Sequence, residues 1–335
     1  MKHTLPDQMT AVVLESYSGV AALKIEQRSV PKPGKNELLV KVAASPINPS
    51  DLAFLEGLYG RKASPPVIPG LEGSGTVVAT GTGLLAKYFS GKKIACLAPP
   101  GGDGVWAEYM LTTPNYALPL LKTVDLEQGA MSVVNPLTAL ALLSIARKGG
   151  HKSIINTAAA SSLGGMIQRV GQTEGIEVIN IVRRPEQVEL LKKADAAFVL
   201  DSSDPHFDRQ LQDLCQEQGT RLAFDAVAGP ITRRLLHAMP RDSKVTLYGG
   251  LSFEPAEAHP GHLIFENKRL DGFWLSSWLA KNNKIQNIQL WRQAQRMMAT
   301  ELHSSIRKKY PLEDVSAAVL DYQNHMTGGK VLIVP

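Results

Sequence analysis

Along the first third of the chain, apolar residues come in short runs broken by Pro and Gly. Residues 10–14, 38–42, 75–79 and 93–97 are such runs, rich in β-branched side chains, and the turn Pro31-Lys32-Pro33-Gly34 separates the first two. Turn residues at this spacing predict a β-rich, partly open barrel. Near residue 124 the period changes. Asp125 can cap a helix, with Gln128 three residues on, and helical spacing runs to Met131. A second helix is expected over 136–146. Strands then alternate with helices. The strands are expected at 153–156, 177–182, 197–200, 221–226 and 244–249. The helices between them fall at 161–174, 185–193, 206–218 and 231–239. This alternation predicts a doubly wound parallel sheet. Residues 277–304 read as one or two helices with polar faces, and 328–334 as a closing strand.

A strand-rich start, a βα middle and a returning strand predict an interrupted first domain. Residues 1–123 and 278–335 would form it, with a dinucleotide-binding domain, 124–277, inserted. The length of 335 residues suits two domains of about 150 residues each. Hydrophobic residues at 44% and charged residues at 20% exclude wholesale disorder. The two cysteines exclude a disulfide framework and a multi-thiolate zinc cluster built by this chain alone. A net charge of +5 with scattered Lys and Arg gives no reason to expect a nucleic-acid partner. No apolar run reaches the roughly 20 residues of a membrane span, so no membrane partner is expected. The N-terminus has Lys2 but no apolar stretch behind it, which predicts no secretory signal and a reducing, cytoplasmic setting.

The strand expected at 153–156 runs into Thr157-Ala158-Ala159-Ala160-Ser161-Ser162-Leu163-Gly164-Gly165 and then a helix. Small residues at such a turn let backbone N–H groups approach a pyrophosphate at the positive helix end. The pattern Ala159-x-Ser161-x-x-Gly164 is a relaxed form of G-x-G-x-x-G, and its place in a βαβ unit points to a dinucleotide. Close helix–strand packing is the alternative explanation. The next strand ends Ile181-Val182-Arg183-Arg184. An acidic residue there would hold the ribose hydroxyls of NAD, whereas arginine pairs with a 2′-phosphate. NADP(H) is therefore the expected cofactor, against two merely solvated arginines.

These blocks resemble the zinc-independent medium-chain dehydrogenases/reductases, especially quinone oxidoreductases and 2-enoyl thioester reductases. Ser45-Pro46-Ile47-Asn48-Pro49-Ser50-Asp51, Pro69-Gly70-Leu71-Glu72-Gly73-Ser74-Gly75 and Gly104-Val105-Trp106-Ala107-Glu108-Tyr109 carry the match. So do Asn135-Pro136-Leu137-Thr138-Ala139, Phe224-Asp225-Ala226-Val227-Ala228-Gly229 and Leu270-Asp271-Gly272-Phe273-Trp274-Leu275. They fall in the family's order over nearly the whole chain. The resemblance implies a GroES-like, partly open β-barrel catalytic domain plus a Rossmann domain. It also implies reduction of an activated C=C bond or a quinone by NADPH, a small-molecule substrate and a homodimer paired through the strand near 270–275.

Zinc-dependent relatives carry Cys in the region of Asn48 and His in place of Leu71, so the resemblance implies no metal here. Hydrogen-bond donors must then stabilise charge on the substrate oxygen. Tyr59 stands where the enoyl thioester reductases have a proton-donating tyrosine, and a packing role is its alternative. Asn48 can donate to the substrate oxygen or the nicotinamide ribose, or simply shape the turn before Pro49. The resemblance sets Thr138 under the nicotinamide ring. Further cofactor contacts are expected at Ala159, Ser161, Ser162, Leu163, Gly164, Arg183, Arg184, Gly249 and Lys330. Phe273 and Trp274 join them, or line the cleft or the dimer edge. Three departures stand out. Lys192-Lys193-Ala194-Asp195 stands where relatives hold a Gly after the second βα helix, so a Lys there would be strained or the helix ends differently. Ser202 stands where some hold a phosphate-binding tyrosine, and Gln187 where they hold a lysine. Two other functions remain open: a nucleotide-binding relative with little catalysis, and a zinc-dependent alcohol dehydrogenase.

Overall fold

A computed structural model describes residues 5–60 and 63–335. The chain divides into two compact units, Met1–Val134 with Gln293–Pro335, and Asn135–Arg292.

The first unit opens with the hairpin β1 (Gln8–Leu14) and β2 (Leu23–Ser29), paired antiparallel from Gln8↔Ser29 to Leu14↔Leu23. β3 (Leu38–Pro46) follows, then the short helix α1 (Pro49–Leu55) and β4 (Glu72–Thr80). α2 (Leu84–Tyr88), β5 (Lys93–Leu97), β6 (Tyr109–Thr112), β7 (Ala117–Pro119) and α3 (Leu126–Ala130) complete its first segment. The core collects apolar side chains from all of these but α3, with Val12, Leu14, Phe54, Ile94 and Trp106 at 1% exposure or less.

The second unit is the alternating part of the chain. It runs α4 (Val134–Lys148, whose first residue closes the first unit), β8 (Ser153–Asn156), α5 (Ser162–Thr173), β9 (Glu177–Val182), α6 (Pro185–Lys192), β10 (Phe198–Asp201), α7 (Phe207–Glu217) and β11 (Leu222–Asp225). α8 (Pro230–Ala238), β12 (Lys244–Leu247), α9 (Pro260–Ile264), β13 (Arg269–Gly272), α10 (Leu275–Ala280) and α11 (Lys284–Arg296) follow. Its sheet is parallel in the order β10-β9-β8-β11-β12-β13, the doubly wound arrangement expected from the alternation. β8 lies inside this sheet and is buried throughout, which is why its Ser-Ile-Ile-Asn shows no polar face.

The chain then returns to the first unit as β14 (Ile306–Tyr310), α12 (Val315–Asn324) and β15 (Lys330–Ile333). β15 sits between β14 and β3, antiparallel to β3 through Leu332↔Pro46 and Ile333↔Ser45. The larger sheet has the order β14-β15-β3-β4-β5-β7, with β6 on β3 as well. The mixed architecture, GroES-like strands and a Rossmann-type parallel sheet, is the fold class that the sequence pattern predicts.

The unit boundaries fall later than the expected 123/124 and 277/278. α3 is the reason at the first: Ser74 Oγ donates to the Leu126 carbonyl, and Glu127 pairs with Lys309, so this helix belongs with the first unit. Asp125 caps it, accepting from Gln128 N at 2.8 Å. The reciprocal half of a capping box is missing, because the Gln128 amide donates to the Ser304 carbonyl at 2.9 Å instead. After α6 the left-handed turn falls beyond the two lysines. Lys193 has an ordinary right-handed conformation (φ −65°, ψ −20°), and the left-handed position falls on Asp195 at φ 56°.

Candidate active site

Two candidate half-sites follow, one in each unit. In the second unit, β8 ends at buried Asn156. Its Nδ2 donates to the Gly164 carbonyl and to Asn180 Oδ1, both at 3.1 Å, which ties the turn to the first turn of α5. Ser161 is the N-cap of α5, and its Oγ accepts from Gly164 N at 3.0 Å. A Cβ on Gly164 would lie 2.6 Å from the Ala158 carbonyl oxygen and 2.7 Å from Ala159 Cα, so only glycine lets helix and turn approach this closely. Ser162 and Leu163 are first-turn residues, so their amides have no intrahelical acceptor and present a positive helix end. Ala159 is different. It is fully buried against Val182, Leu191 and Ala196, and its N–H donates to the Ile181 carbonyl at 3.2 Å. Ala159, expected among the cofactor contacts, thus lies in a packed interior.

Arg183 and Arg184 are both exposed at the end of β9, where no acidic residue stands. Arg184 is the N-cap position of α6, and Gln187 Oε1 accepts from Arg183 N at 3.2 Å. Gln187 thus braces the arginine backbone. Ser202 N donates to the Val182 carbonyl at 2.8 Å, which lays the next loop beside this strand end. Arg234, unremarked in the sequence, donates to the Ser202 carbonyl at 3.0 Å and to Asp208 at 2.6 Å.

At the neighbouring strand ends, Asp225 is saturated. One carboxylate oxygen accepts from Thr157 Oγ1 at 2.8 Å and Val227 N at 2.9 Å, the other from Thr232 Oγ1 at 2.8 Å. Gly249 lies beyond β12, and a Cβ there would come within 2.7 Å of the Ala226 carbonyl oxygen. The Tyr248 hydroxyl is buried with no partner among the described residues, and burial raises its pKa, helped by Asp225. Sequence reasoning missed it. Thr138 is buried at 6% in the second turn of α4. Phe273 N donates to the Leu247 carbonyl at 2.7 Å, and Trp274 is 43% exposed. The Phe273 backbone therefore continues the edge of the sheet.

In the first unit, Asn48 is the N-cap of α1, and Asp51 in the first turn accepts from Asn48 N at 2.8 Å and Leu71 N at 2.9 Å. Asn48 Nδ2 donates to Glu72 Oε1 at 2.8 Å, and Lys330 Nζ donates to Asn48 Oδ1. Glu72 also accepts from Val134 N at 2.8 Å. All four side chains are 2% exposed or less. Burial pushes the Asp51 carboxyl up to about 7 and raises Glu72, while it lowers Lys330. Lys330, expected among the cofactor contacts, is buried with its ammonium on Asn48. Asn48 does not merely shape a turn, since its amide joins Lys330 to Glu72. Tyr59 lies just past the turn Glu56-Gly57-Leu58 that ends α1. Its N donates to the Ala53 carbonyl at 3.2 Å, and its ring is half-buried against the barrel core.

Cys96 and Cys215 are both buried thiols, and burial pushes each up to about 12, so neither is a ready thiolate ligand. Among the described residues, no group of three His, Cys, Asp or Glu is placed to hold a metal ion.

Residues 34–122 match the family described as alcohol dehydrogenase GroES-like domain, and 162–293 the one described as zinc-binding dehydrogenase. A mitochondrial enoyl-[acyl-carrier-protein] reductase of Xenopus tropicalis is 28% identical, over 93% of this chain and 91% of its own length. The Bos taurus protein of that name is 30% identical, over 82% of this chain and 74% of its own. A solved Mesorhizobium loti chain, described as a candidate NADPH:quinone reductase, is 35% identical with a TM-score of 0.91, covering 99% of this chain and all of that one. This chain belongs to the medium-chain dehydrogenase/reductase family, among its quinone oxidoreductases and enoyl reductases.

Proposed function

We propose that the protein is an NADPH-dependent oxidoreductase that reduces an activated C=C bond, in an enone or enoyl thioester, or a quinone, and does so without zinc. The observation that carries this is the cofactor half-site: the Gly164 approach and the open end of α5, with Arg183 and Arg184 at the next strand end. The donor set fits NADPH. Ser162 and Leu163 amides would hold the pyrophosphate, and the two guanidinium groups would hold the 2′-phosphate. Thr138 and Gly249 complete the proposed cofactor contacts. Family membership alongside enoyl and quinone reductases supports the reaction class.

When bound, NADPH supplies a hydride. The protein's task is to manage the charge and proton that follow. With an enoyl substrate the hydride reaches the β-carbon, and negative charge gathers on the carbonyl oxygen as an enolate. Asn48 is the proposed donor to that oxygen. Tyr59, whose phenol is ordinarily protonated at neutral pH, is the proposed proton source for the α-carbon. With a quinone, the same donors would meet the oxygens of the forming hydroquinone.

A homodimer suits the second unit. β13 is the edge strand of its sheet and carries no buried residue, and Ile264 and Phe265 just before it are 69% and 72% exposed. A reducing compartment such as the cytoplasm suits two unpaired thiols. No helix among the described residues is long and apolar enough to cross a membrane. The experiment is to follow loss of NADPH absorbance with enones, enoyl thioesters and quinones. NADPH binding with no turnover of any of them would instead favour a nucleotide-binding role. Stoichiometric zinc in active protein would overturn the metal-free reading.

A further inference from the structure

α2 and the loops beside it carry no part of the proposed reaction. The helix rests on the first unit by one side only. Ala86 and Phe89 are buried in the barrel core, whereas Leu84, Leu85 and Tyr88 are 90%, 57% and 59% exposed. Two adjacent leucines and an aromatic ring held this far into water cost free energy that a covering surface would recover. At 90% exposure Leu84 stands out from the surface and does not lie in a groove. The charge around this ridge has one sign. No acidic residue occurs between Glu72 and Asp103, and Lys87, Lys92 and Lys93 fall within that stretch. Lys87 and Lys93 are exposed, and the Lys92 ammonium lies 3.0 Å from the centre of the Tyr88 ring. The turn at 33–37 is held against the start of α2. Asn36 N donates to the Thr82 carbonyl at 2.8 Å, and Gly81 N to the Glu37 carbonyl at 2.9 Å. This brings exposed Lys35 alongside. Glu37, the acid of that turn, is engaged by Gly34 N at 2.8 Å. Lys41 and Lys93 pair with Thr76 from its two sides, so they extend the basic surface along one face of the sheet.

We infer that this patch is a peripheral docking surface for an anionic lipid bilayer: Leu84, Leu85 and Tyr88 enter the boundary between headgroups and acyl chains, and Lys35, Lys87, Lys92 and Lys93 meet the lipid phosphates. An apolar tip with cationic flanks is the chemistry of an interfacial anchor. Fluid lipid moulds itself around a protruding side chain, whereas a folded acidic partner would need a socket shaped for Leu84. The contact is at headgroup level and needs no membrane-spanning helix. It does not depend on the reductase reading, because none of these residues belongs to either half-site.

The test is co-sedimentation of the full chain with vesicles of phosphatidylcholine and phosphatidylglycerol in equal parts, and with vesicles of phosphatidylcholine alone. Each lysine beside an anionic surface is worth roughly fivefold in partitioning. Wild type is therefore expected to bind the anionic vesicles at least about tenfold more tightly than the neutral ones. Most of that binding should vanish near 1 M salt, where the Debye length is about 3 Å. Leu84→Ser with Leu85→Ser, and separately Lys87→Glu with Lys92→Glu, should each weaken binding at least about tenfold. Both pairs change the surface only, so melting temperature and NADPH affinity are expected to stay at wild-type values. Equal binding to both vesicles, or binding that either pair leaves untouched, would overturn the inference. So would a wild type that sediments with neither vesicle, and a soluble acidic protein would then be the occupant to seek.

Discussion

At Gly164 one methyl group decides whether the phosphate turn can close. A side chain there meets the Ala158 carbonyl oxygen at 2.6 Å, which is backbone and cannot swing aside. Gly164→Ala is expected to destabilise the protein by about 1–3 kcal/mol, the usual range for overpacking, and to weaken NADPH binding. Thermal melts with and without NADPH measure both. Arg183→Ala with Arg184→Ala should cost roughly tenfold to a hundredfold in NADPH affinity, as for lost charged hydrogen bonds, and little in NADH affinity. Calorimetric titration with each nucleotide checks it, and equal losses would sink the 2′-phosphate assignment. Tyr59→Phe should lower kcat with an enoyl thioester about a hundredfold while NADPH affinity stays put. An unchanged rate would leave Tyr59 a packing residue. Asp51 gives a pH prediction. Its folded-state pKa, about 7, lies above the ordinary carboxyl value, so between pH 4 and 7 the folded state holds the extra proton. Stability from this group therefore declines as pH rises through that window and levels off above it. Asp51→Asn should flatten the slope of unfolding free energy against pH, and denaturant melts at pH 5 and 8 would show it.

Among the elements, those whose apolar period was unbroken were the legible ones. Glu177–Val182 and Ser153–Asn156 are strands at the residues expected, since both lie inside a sheet covered on both faces. β2 was not legible. Leu23-Lys24-Ile25-Glu26-Gln27-Arg28-Ser29 holds only two apolar residues, and its strand conformation comes from pairing with β1. α12 and β14 were also missed. The charged run Ile306-Arg307-Lys308-Lys309-Tyr310 reads as surface, yet Arg307 and Tyr310 both bond Asp321 of α12, at 2.9 and 3.0 Å. The turn and the strand end that make up the proposed cofactor half-site were legible as local structure, because both are set by neighbours in sequence. The Asn48 network was not. Its Lys330 lies 282 residues from Asn48, so no local pattern could join them. The motif around Lys330 was visible in the sequence, and its burial was not.

On the scale of the whole molecule, the interrupted first unit sets what can be removed. β15 contributes Val331, Leu332 and Ile333 to the interior, all at 0% exposure, and splits β14 from β3. Deleting 328–335 is expected to unfold the first unit while leaving the parallel sheet of Asn135–Arg292 intact. Loss of amide exchange protection throughout β1 to β7, β14 and α12, with protection kept in β8 to β13, would verify this. The same strand has a consequence for biosynthesis. A ribosome delivers residues 135–292 complete before it reaches 330. The nucleotide-binding unit can therefore fold during translation. The first unit must wait, with the β3 edge open, until the last strand leaves the exit tunnel. Lys330 arrives with that strand, so the Asn48 amide is clamped only in the final step of folding.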